Sequence, residues 1–457
     1  MQILPLTPAR RGAWNAFCEK SPDAWFFHST DYLDFSAAIR PERETKSYCF
    51  LMMEGGEARA VVPFFVERHR EHGRDWRFAT MGGNPIQAPA LAADFTPPQR
   101  VVVLDHIFEV IEGLARELHV DYSYFAIPTL GPSVIRPARP PQNWLMRHHY
   151  LDASLNAQVI DLKLSEERLR GDMHRRHRQS IDKAKESLSV RFHAAPELTA
   201  EKFDEYRAMH ARAAGRVTRP KETFDMMARW ALAGRGFLAE AVHADGKTAG
   251  FEVFMVDKGG AYALSACNDP ESEHLPIRHL LEWESILRLK SQGVEFYDIG
   301  WQPFGTLPYF FPDEKLLNIC HFTFRFGGFT APMTRAERFH NRELWELAQK
   351  DRAKRFAEGY AWKPDASTGE AAELLREIAN PQSDAPAAPP PAVSAELLTL
   401  AEAVLAANPS RVRDYLDGSE RVLNALVGQL IARGAGSCTP RTAQAALVQA
   451  LAKAERP

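Results

Sequence analysis

The chain has 457 residues, 45% hydrophobic and 25% charged, with a formal net charge of -3. That length exceeds one ordinary domain and implies about two to four units with ample apolar material for packed cores. The near-neutral balance excludes a polycation, so any nucleic-acid contact must come from a local basic patch.

Residues 1–142 read as a first α/β segment. A helix is expected over Ala13–Lys20, followed by Ser21-Pro22 and the aromatic-rich stretch Trp25–Phe35. Ser47–Met53 and Arg59–Arg68 read as strands joined by Glu54-Gly55-Gly56, a hairpin signal. Val101–Leu118 has helical apolar spacing, and Tyr122–Ile127 reads as the next strand.

Residues 143–362 form the second segment. Val159–Leu162 reads as a strand and Ser165–Glu186 as one long basic helix. Phe203–Ala214 is the next helix, followed by a basic turn, Arg216–Lys221. Phe237–Val242, Gly250–Val256 and Ala261–Cys267 read as antiparallel strands, Pro276–Ser291 as a helix, Val294–Ile299 as a strand and His321–Phe326 as the last strand. Both segments follow a similar order of helices, hairpin ladder, helix and strand, so a duplicated fold is expected. Residues 363–393 read as a helical extension and a Pro/Ala-rich linker, Asn380–Val393, which cannot build a core. Residues 394–457 read as a small all-α domain with helices over Ala395–Ala406, Arg411–Leu416, Ser419–Arg433 and Thr442–Lys453.

Cys18, Cys49, Cys267, Cys320 and Cys438 are scattered and form no C-x-x-C pair, which argues against a disulfide framework and fits a reducing cytosol. No apolar signal core precedes Arg11 and no apolar run spans a bilayer, so the expected location is cytoplasmic without integral membrane association.

The central strands, the helix Pro276–Ser291 and the strand after it form the skeleton of an acyl-transfer sheet. Such a site needs a backbone N–H for an oxyanion, a base for the attacking ammonium and cations for the donor's phosphates. Asp298, His274 and Asp269 are the catalytic candidates, with Glu252 also available as a base. The basic helix supplies Arg170, Arg175, Arg176, Arg178, Lys183 and Lys185. The i, i+3 pair His174 and His177 lacks a third ligand, so no metal site is expected. The slot where an acetyl-CoA enzyme cradles pyrophosphate holds Glu271-Ser272-Glu273-His274-Leu275, and its acids disfavour that donor.

Across roughly Trp14 to Gly328 the chain resembles the FemABX-like branch of the GNAT acyltransferase superfamily. The resemblance rests on Phe26-Phe27-His28-Ser29 with Tyr32; on Arg178, Ile181, Lys183 and Ala184; on Leu280-Leu281-x-Trp283; on Gly293-x-x-x-Tyr297-Asp298-Ile299-Gly300; and on Phe322-x-x-x-Phe326-Gly327-Gly328. It implies an α+β fold of two GNAT-like lobes, with mixed, mostly antiparallel sheets and flanking helices around a cleft. It also implies donors that are often aminoacyl-tRNAs, whose activated ester requires no cofactor, with acyl-CoA as the alternative. The family commonly has Phe-Lys where this chain has Phe322-Thr323, so Lys315 or Arg325 is expected to replace a missing phosphate-binding lysine. Arg175, Arg176, Arg178 and Lys183 complete the expected donor-phosphate or tRNA set.

A second resemblance covers the tail. Asn408-Pro409-x-x-Val412-x-x-Tyr415-x-x-Gly418, followed by Leu423-x-x-Leu426-Val427-Gly428-Gln429, is similar to the GatB/YqeY helical domain of the amidotransferase B subunit. It implies tRNA contacts from Arg411, Tyr415, Gly418, Arg421, Gln429 and Arg433. Together the two resemblances imply an aminoacyl-tRNA-dependent transferase that makes an amide on a small-molecule, peptide or protein amine.

Overall fold

The computed structural model describes residues 1–71, 73–136, 142–302, 305, 312–359, 393–416, 421–434 and 438–454. It divides into two compact units, Met1–Tyr360 and Ala361–Pro457.

The first lobe opens with β1 (Gln2–Pro5), α1 (Arg11–Lys20) and α2 (Thr30–Ala38). Ser29 caps α2 through its hydroxyl, which accepts the Tyr32 N–H at 3.3 Å. Next come β2 (Lys46–Ser47), β3 (Phe50–Glu54), β4 (Glu57–Val62), β5 (Phe65–Glu71), β6 (Arg74–Ala79), β7 (Ile86–Gln87) and β8 (Ala90–Leu91). Pro63 separates β4 from β5, dividing the single strand expected over Arg59–Arg68. α3 (Pro97–Glu117), β9 (Tyr122–Ala126), α4 (Pro132–Ile135) and β10 (Leu151–Asp152) complete this stretch.

The second lobe runs through β11 (Leu155–Asp161), α5 (Glu166–Asp172), α6 (Arg175–Lys185), β12 (Leu188–His193), α7 (Ala200–Ala214) and α8 (Lys221–Leu232). β13 (Gly236–His243), β14 (Thr248–Asp257), β15 (Gly260–Asn268), α9 (Ile277–Ser291), β16 (Phe296–Gln302), α10 (Glu314–Phe324) and β17 (Phe329–Met333) follow. The chain then returns to the first lobe with β18 (Arg335–Phe339) and α11 (Arg342–Gly359).

The larger first-lobe sheet has the order β10-β18-β9-β6-β5-β2, with β7 beside β9; a smaller sheet has the order β1-β3-β4-β8. The second-lobe sheet has the order β12-β13-β14-β15-β16-β11-β17. Both large sheets are mostly antiparallel. In each, a helix crossover joins a parallel pair, β6 with β9 through α3 and β15 with β16 through α9. The α+β architecture of two GNAT-like lobes expected from the sequence is therefore present.

Each lobe has its own core, represented by Trp14, Leu51, Phe64 and Ile107 in the first and Ile181, Phe254, Leu281 and Tyr297 in the second, all fully buried. A third cluster seals the seam, with Trp25, Phe26 and Phe35 of the first lobe against Tyr206, Trp230 and Phe251 of the second. The Phe26 and Trp230 rings meet edge to face at 5.0 Å. Across the same seam the Lys258 ammonium donates to the Ser21 and Ala24 carbonyls at 2.6 and 2.8 Å.

Two elements differ from expectation. The basic stretch expected as one helix breaks at Met173-His174 into α5 and α6, because Arg178 Nη1 folds back onto the Gly171 and Met173 carbonyls that end α5, at 3.0 and 2.5 Å. The final strand expected over His321–Phe326 is instead mostly the last turns of α10. Asp313 starts that helix by accepting the Leu316 N–H at 2.8 Å, and Cys320 and Thr323 form its buried face at i, i+3.

The second unit contains α12 (Ala395–Ala406), α13 (Pro409–Leu416), α14 (Arg421–Arg433) and α15 (Pro440–Ala454) around Ala401, Val404, Leu426, Leu430, Ala446 and Leu447. Ser394 caps α12 by accepting the Leu397 N–H at 3.2 Å. The expected linker, apart from Val393, lies outside the described residues.

Candidate active site

The site begins where two strands part. β15 and β16 pair in parallel only through Gly260 with Phe296, Ala261 with Tyr297 and Tyr262 with Asp298. Beyond that point β15 stays with β14 as far as Asn268, while β16 stays with β11 as far as Gln302. Each strand bulges just past the parting. Phe254 opposes Ala263 and Val253 opposes Ser265, which leaves Leu264 outside the β14 ladder. Val159 opposes Asp298 and Gln158 opposes Gly300, which leaves out Ile299. The register shifts leave Leu264 and Ile299 without a directly opposed residue on the neighbouring strand, the arrangement in which a bulge turns main-chain groups out of the ladder.

A cavity of about 260 Å³ lies at this fork, between the lobes. Phe27, Tyr32 and Gln87 line it from the first lobe, Arg219, Leu264 and Asp298 from the second. Tyr262 and Arg335 add to its polar surface, with Ser36, Asn84 and Thr129. Asp298 is 3% exposed, and its carboxylate accepts the Gly300 N–H at 3.0 Å. Burial pushes its carboxyl up to about 7, against the lowering effects of that N–H and of the Arg335 charge. Burial, followed by the Asp298 charge, holds the Tyr262 phenol well above its ordinary range.

Residues 171–310, which include β15, α9 and β16, match the family model of the acetyltransferase (GNAT) domain. The fold is similar to the crystal structure of FemX over 76% of this chain and 99% of that chain, with a TM-score of 0.53 and 11% identity. The fold is therefore like that of FemX, with a GNAT domain match inside it. The structure of L-PGS from Bacillus licheniformis is also similar, with a TM-score of 0.46 and 13% identity over 76% of this chain and 97% of that one. A tandem GNAT protein from the clavulanic acid biosynthesis pathway has a TM-score of 0.39 and 14% identity over 74% and 98% of the two chains. No curated protein matches the sequence.

Within this fold the expected catalytic residues separate. Asp298 lines the cleft. Asp269 does not; it is buried at the end of β15, with Arg212 at 3.5 Å and Lys247 at 3.6 Å. His274 is exposed on the loop before α9. Glu252 is fully buried between β14 and α9, where Arg278 Nη2 lies 2.8 Å from it and 2.6 Å from Glu282. Tyr297 donates to Glu282 at 2.5 Å, so this network joins α9 to two strands.

The expected phosphate contacts also divide. Arg175, Arg176 and Lys183 are exposed on α6, and Lys315 is exposed in the first turn of α10. The His174 N–H donates to the Arg325 carbonyl at 2.9 Å, which brings Arg325 to the start of α6. Arg178 instead closes the end of α5, as described above. Arg170 pairs with Asp182 at 2.6 Å and Lys185 with Glu284 at 2.7 Å. His174 caps α6 and His177 binds the Phe322 carbonyl at 2.9 Å, so both histidines have roles in the fold. Thr323, which stands where the family commonly has lysine, is buried and accepts from Gln302 at 2.9 Å.

In the tail, Arg433 is exposed and Arg411 half-buried, while Tyr415 packs against the helical core. Gln429 is engaged with Asn408, accepting at 2.8 Å and donating at 3.4 Å. Gly418 and the Arg421 side chain lie outside the described residues.

Sequence reasoning did not assign Arg219, Arg335, Tyr262 or Gln87 to the site. Arg219 sits in the basic turn that had been noted, but nothing in its neighbours points inward. The other three lie in strands distant in sequence: Gln87 and Arg335 meet across β9 in the first-lobe sheet, and Tyr262 comes from β15 of the second lobe.

Proposed function

We propose that the protein is an acyltransferase that moves an aminoacyl group from aminoacyl-tRNA to an amine. The observation that carries this reading is a buried carboxylate, Asp298, at the fork between β15 and β16, opening on the interlobe cleft. The first lobe has no such open fork, because β7 pairs with β9 there.

In this scheme Asp298 accepts a proton from the acceptor's ammonium. A base is most useful with a pKa near the working pH, which burial supplies here. The free amine attacks the ester carbonyl, and the Leu264 N–H, freed by the bulge, stabilises the oxyanion. The amide C–N bond forms, the ester C–O bond breaks, the ribose hydroxyl leaves with the proton carried by Asp298, and the second proton lost by the attacking nitrogen passes to solvent. Arg175, Arg176, Lys183, Lys315 and Arg325 bear no acidic partner within 4 Å among the described residues, and they supply the contacts to the donor's phosphates. Asp269 and His274 stand outside the chemistry.

The description of the matched family model favours a second donor, acyl-CoA. The exposed acids Glu271, paired with Lys247, and Glu273, on the loop before α9, oppose a pyrophosphate there. The test is to incubate the full chain with labelled aminoacyl-tRNA or labelled acetyl-CoA and an amine pool. Label moves to an amide from the tRNA, and Asp298→Asn lowers the rate by about 10²–10⁴-fold. Transfer from acetyl-CoA alone assigns the second donor; undiminished transfer by D298N removes Asp298 from the mechanism.

A further inference from the structure

Two arginines reach the cleft without an anion. Arg219 precedes α8, and its Nη2 donates to Ser265 Oγ at 2.9 Å and the Tyr206 hydroxyl at 3.2 Å, with the guanidinium 4.5 Å from the Phe224 ring centre. Arg335 opens β18, and its Nη1 and Nη2 donate to the Tyr124 hydroxyl at 3.3 Å and Met333 Sδ at 2.8 Å. Every one of these partners is neutral. Both Nε atoms are buried without an acceptor, and among the described residues neither guanidinium has a carboxylate within 4 Å.

Of the other half-buried arginines of this unit, Arg288 also lacks an acid within 4 Å among the described residues but stacks on Phe192 and Phe237 away from the cleft, whereas three others are paired with acids. Arg278 faces Glu252 and Glu282, Arg352 faces Glu337 at 2.7 Å and Arg100 faces Asp23 at 2.7 Å. A guanidinium withdrawn from water is costly until a charge-assisted bond replaces its hydration, and its planar fork suits a carboxylate or a phosphate. Asp298 is the single acid among the residues that line the cavity, and it does not touch either arginine. The cleft therefore offers one site for an ammonium and two fixed cations for an anion. A volume of about 260 Å³ lies below that of ordinary drug-sized pockets and suits a small molecule or the end of a larger one.

We infer that the acceptor is an amine that also carries an anionic group, a carboxylate or a phosphate ester, with its nitrogen at Asp298 and the anion held by Arg219 and Arg335. This rests on the transfer reading above for the role of the nitrogen, whereas the anion subsite stands on the arginines alone.

Four achiral probes test it on the full chain by calorimetric titration: β-alanine, phosphoethanolamine, ethanolamine and propionate. At least one of the two anionic amines binds tenfold or more tightly than ethanolamine and propionate, and which one binds identifies the anion. R335Q erases that preference. Equal binding of ethanolamine and the anionic amines, or no binding by either anionic amine, overturns the inference; the wild-type comparison decides even if R335Q does not fold. Preferential binding of an anionic amine without any transfer from aminoacyl-tRNA keeps the subsite and removes the transfer reading. Transfer to ethanolamine as readily as to the anionic amines does the reverse.

Discussion

Asp298 carries a stability consequence independent of any assay. Its carboxyl has a folded-state pKa of about 7 against an ordinary value of 3.8, because burial disfavours the anion more than the Gly300 N–H and the Arg335 charge favour it. Below about pH 4 the group is protonated in both folded and unfolded chains, and burial costs nothing through ionisation. Between about 4 and 7 the unfolded chain gives up the proton while the folded chain keeps it, so stability falls as pH rises, and the loss is complete above 7. The full shift corresponds to roughly 4 kcal/mol at most. Asp298→Asn keeps the shape and removes the ionisation. It therefore raises the melting temperature at pH 8, by the equivalent of about 2–4 kcal/mol, and leaves it nearly unchanged at pH 4. Thermal melts of both proteins at the two pH values decide the matter: an unaltered or lowered melting temperature at pH 8 means that the folded carboxyl ionises freely. Greater stability at the expense of turnover is the pattern expected of a group whose burial serves chemistry.

At the scale of elements, Gly327-Gly328 shows why one motif was readable from sequence and its surroundings were not. Both residues hold positive φ, 85° and 82°, in the turn between α10 and β17. A Cβ on Gly328 would lie 2.2 Å from the Val159 carbonyl oxygen, on the strand that flanks β16. Gly328→Ala therefore combines backbone strain with a clash against main chain and costs about 2–3 kcal/mol or more; a denaturation midpoint equal to that of wild type would show that the turn can relax. Glycine at such a point is legible because no other residue fits it. The element before it was misread because Phe322, Phe324 and Phe326 alternate, the period of a strand. The helix prevails because Asp313 caps it and Cys320 with Thr323 bury one face, leaving Phe324 at 60% exposure. The break between α5 and α6 was equally hidden, since it depends on one arginine turning back onto two carbonyls. The strands β13 to β16 were readable from Gly-bearing turns and β-rich runs. Of the site, Asp298 could be found from its place at a strand end, whereas Arg219 and Arg335 carry no local signal and are brought together by tertiary closure.

At the scale of the molecule, the tail contributes a second packed core of its own, within Ala361–Pro457. From Ser394 to Pro457 there are seven Lys and Arg residues against six acids, so this unit is nearly neutral and any phosphate contact would have to come from a few placed cations. Gln429 holds Asn408 and Tyr415 packs inward, which makes these two parts of the tail motif supports for the helices and leaves Arg411 and Arg433 as the better candidates for phosphate contact. A weak second contact still matters when tethered, because it raises the effective concentration of an acceptor stem at the cleft. Binding of deacylated bulk tRNA is therefore expected to weaken from 50 to 200 mM salt for the full chain. A chain ending at Asp384 binds about tenfold or more weakly at the lower salt, with a shallower dependence, since the released counterions scale with the phosphates neutralised. Equal binding by both chains assigns recognition to the basic face around α6 and makes the tail a site for something other than tRNA. If neither chain binds, the donor is not carried on RNA, and acyl-CoA becomes the reading that Asp298 and the strand fork support.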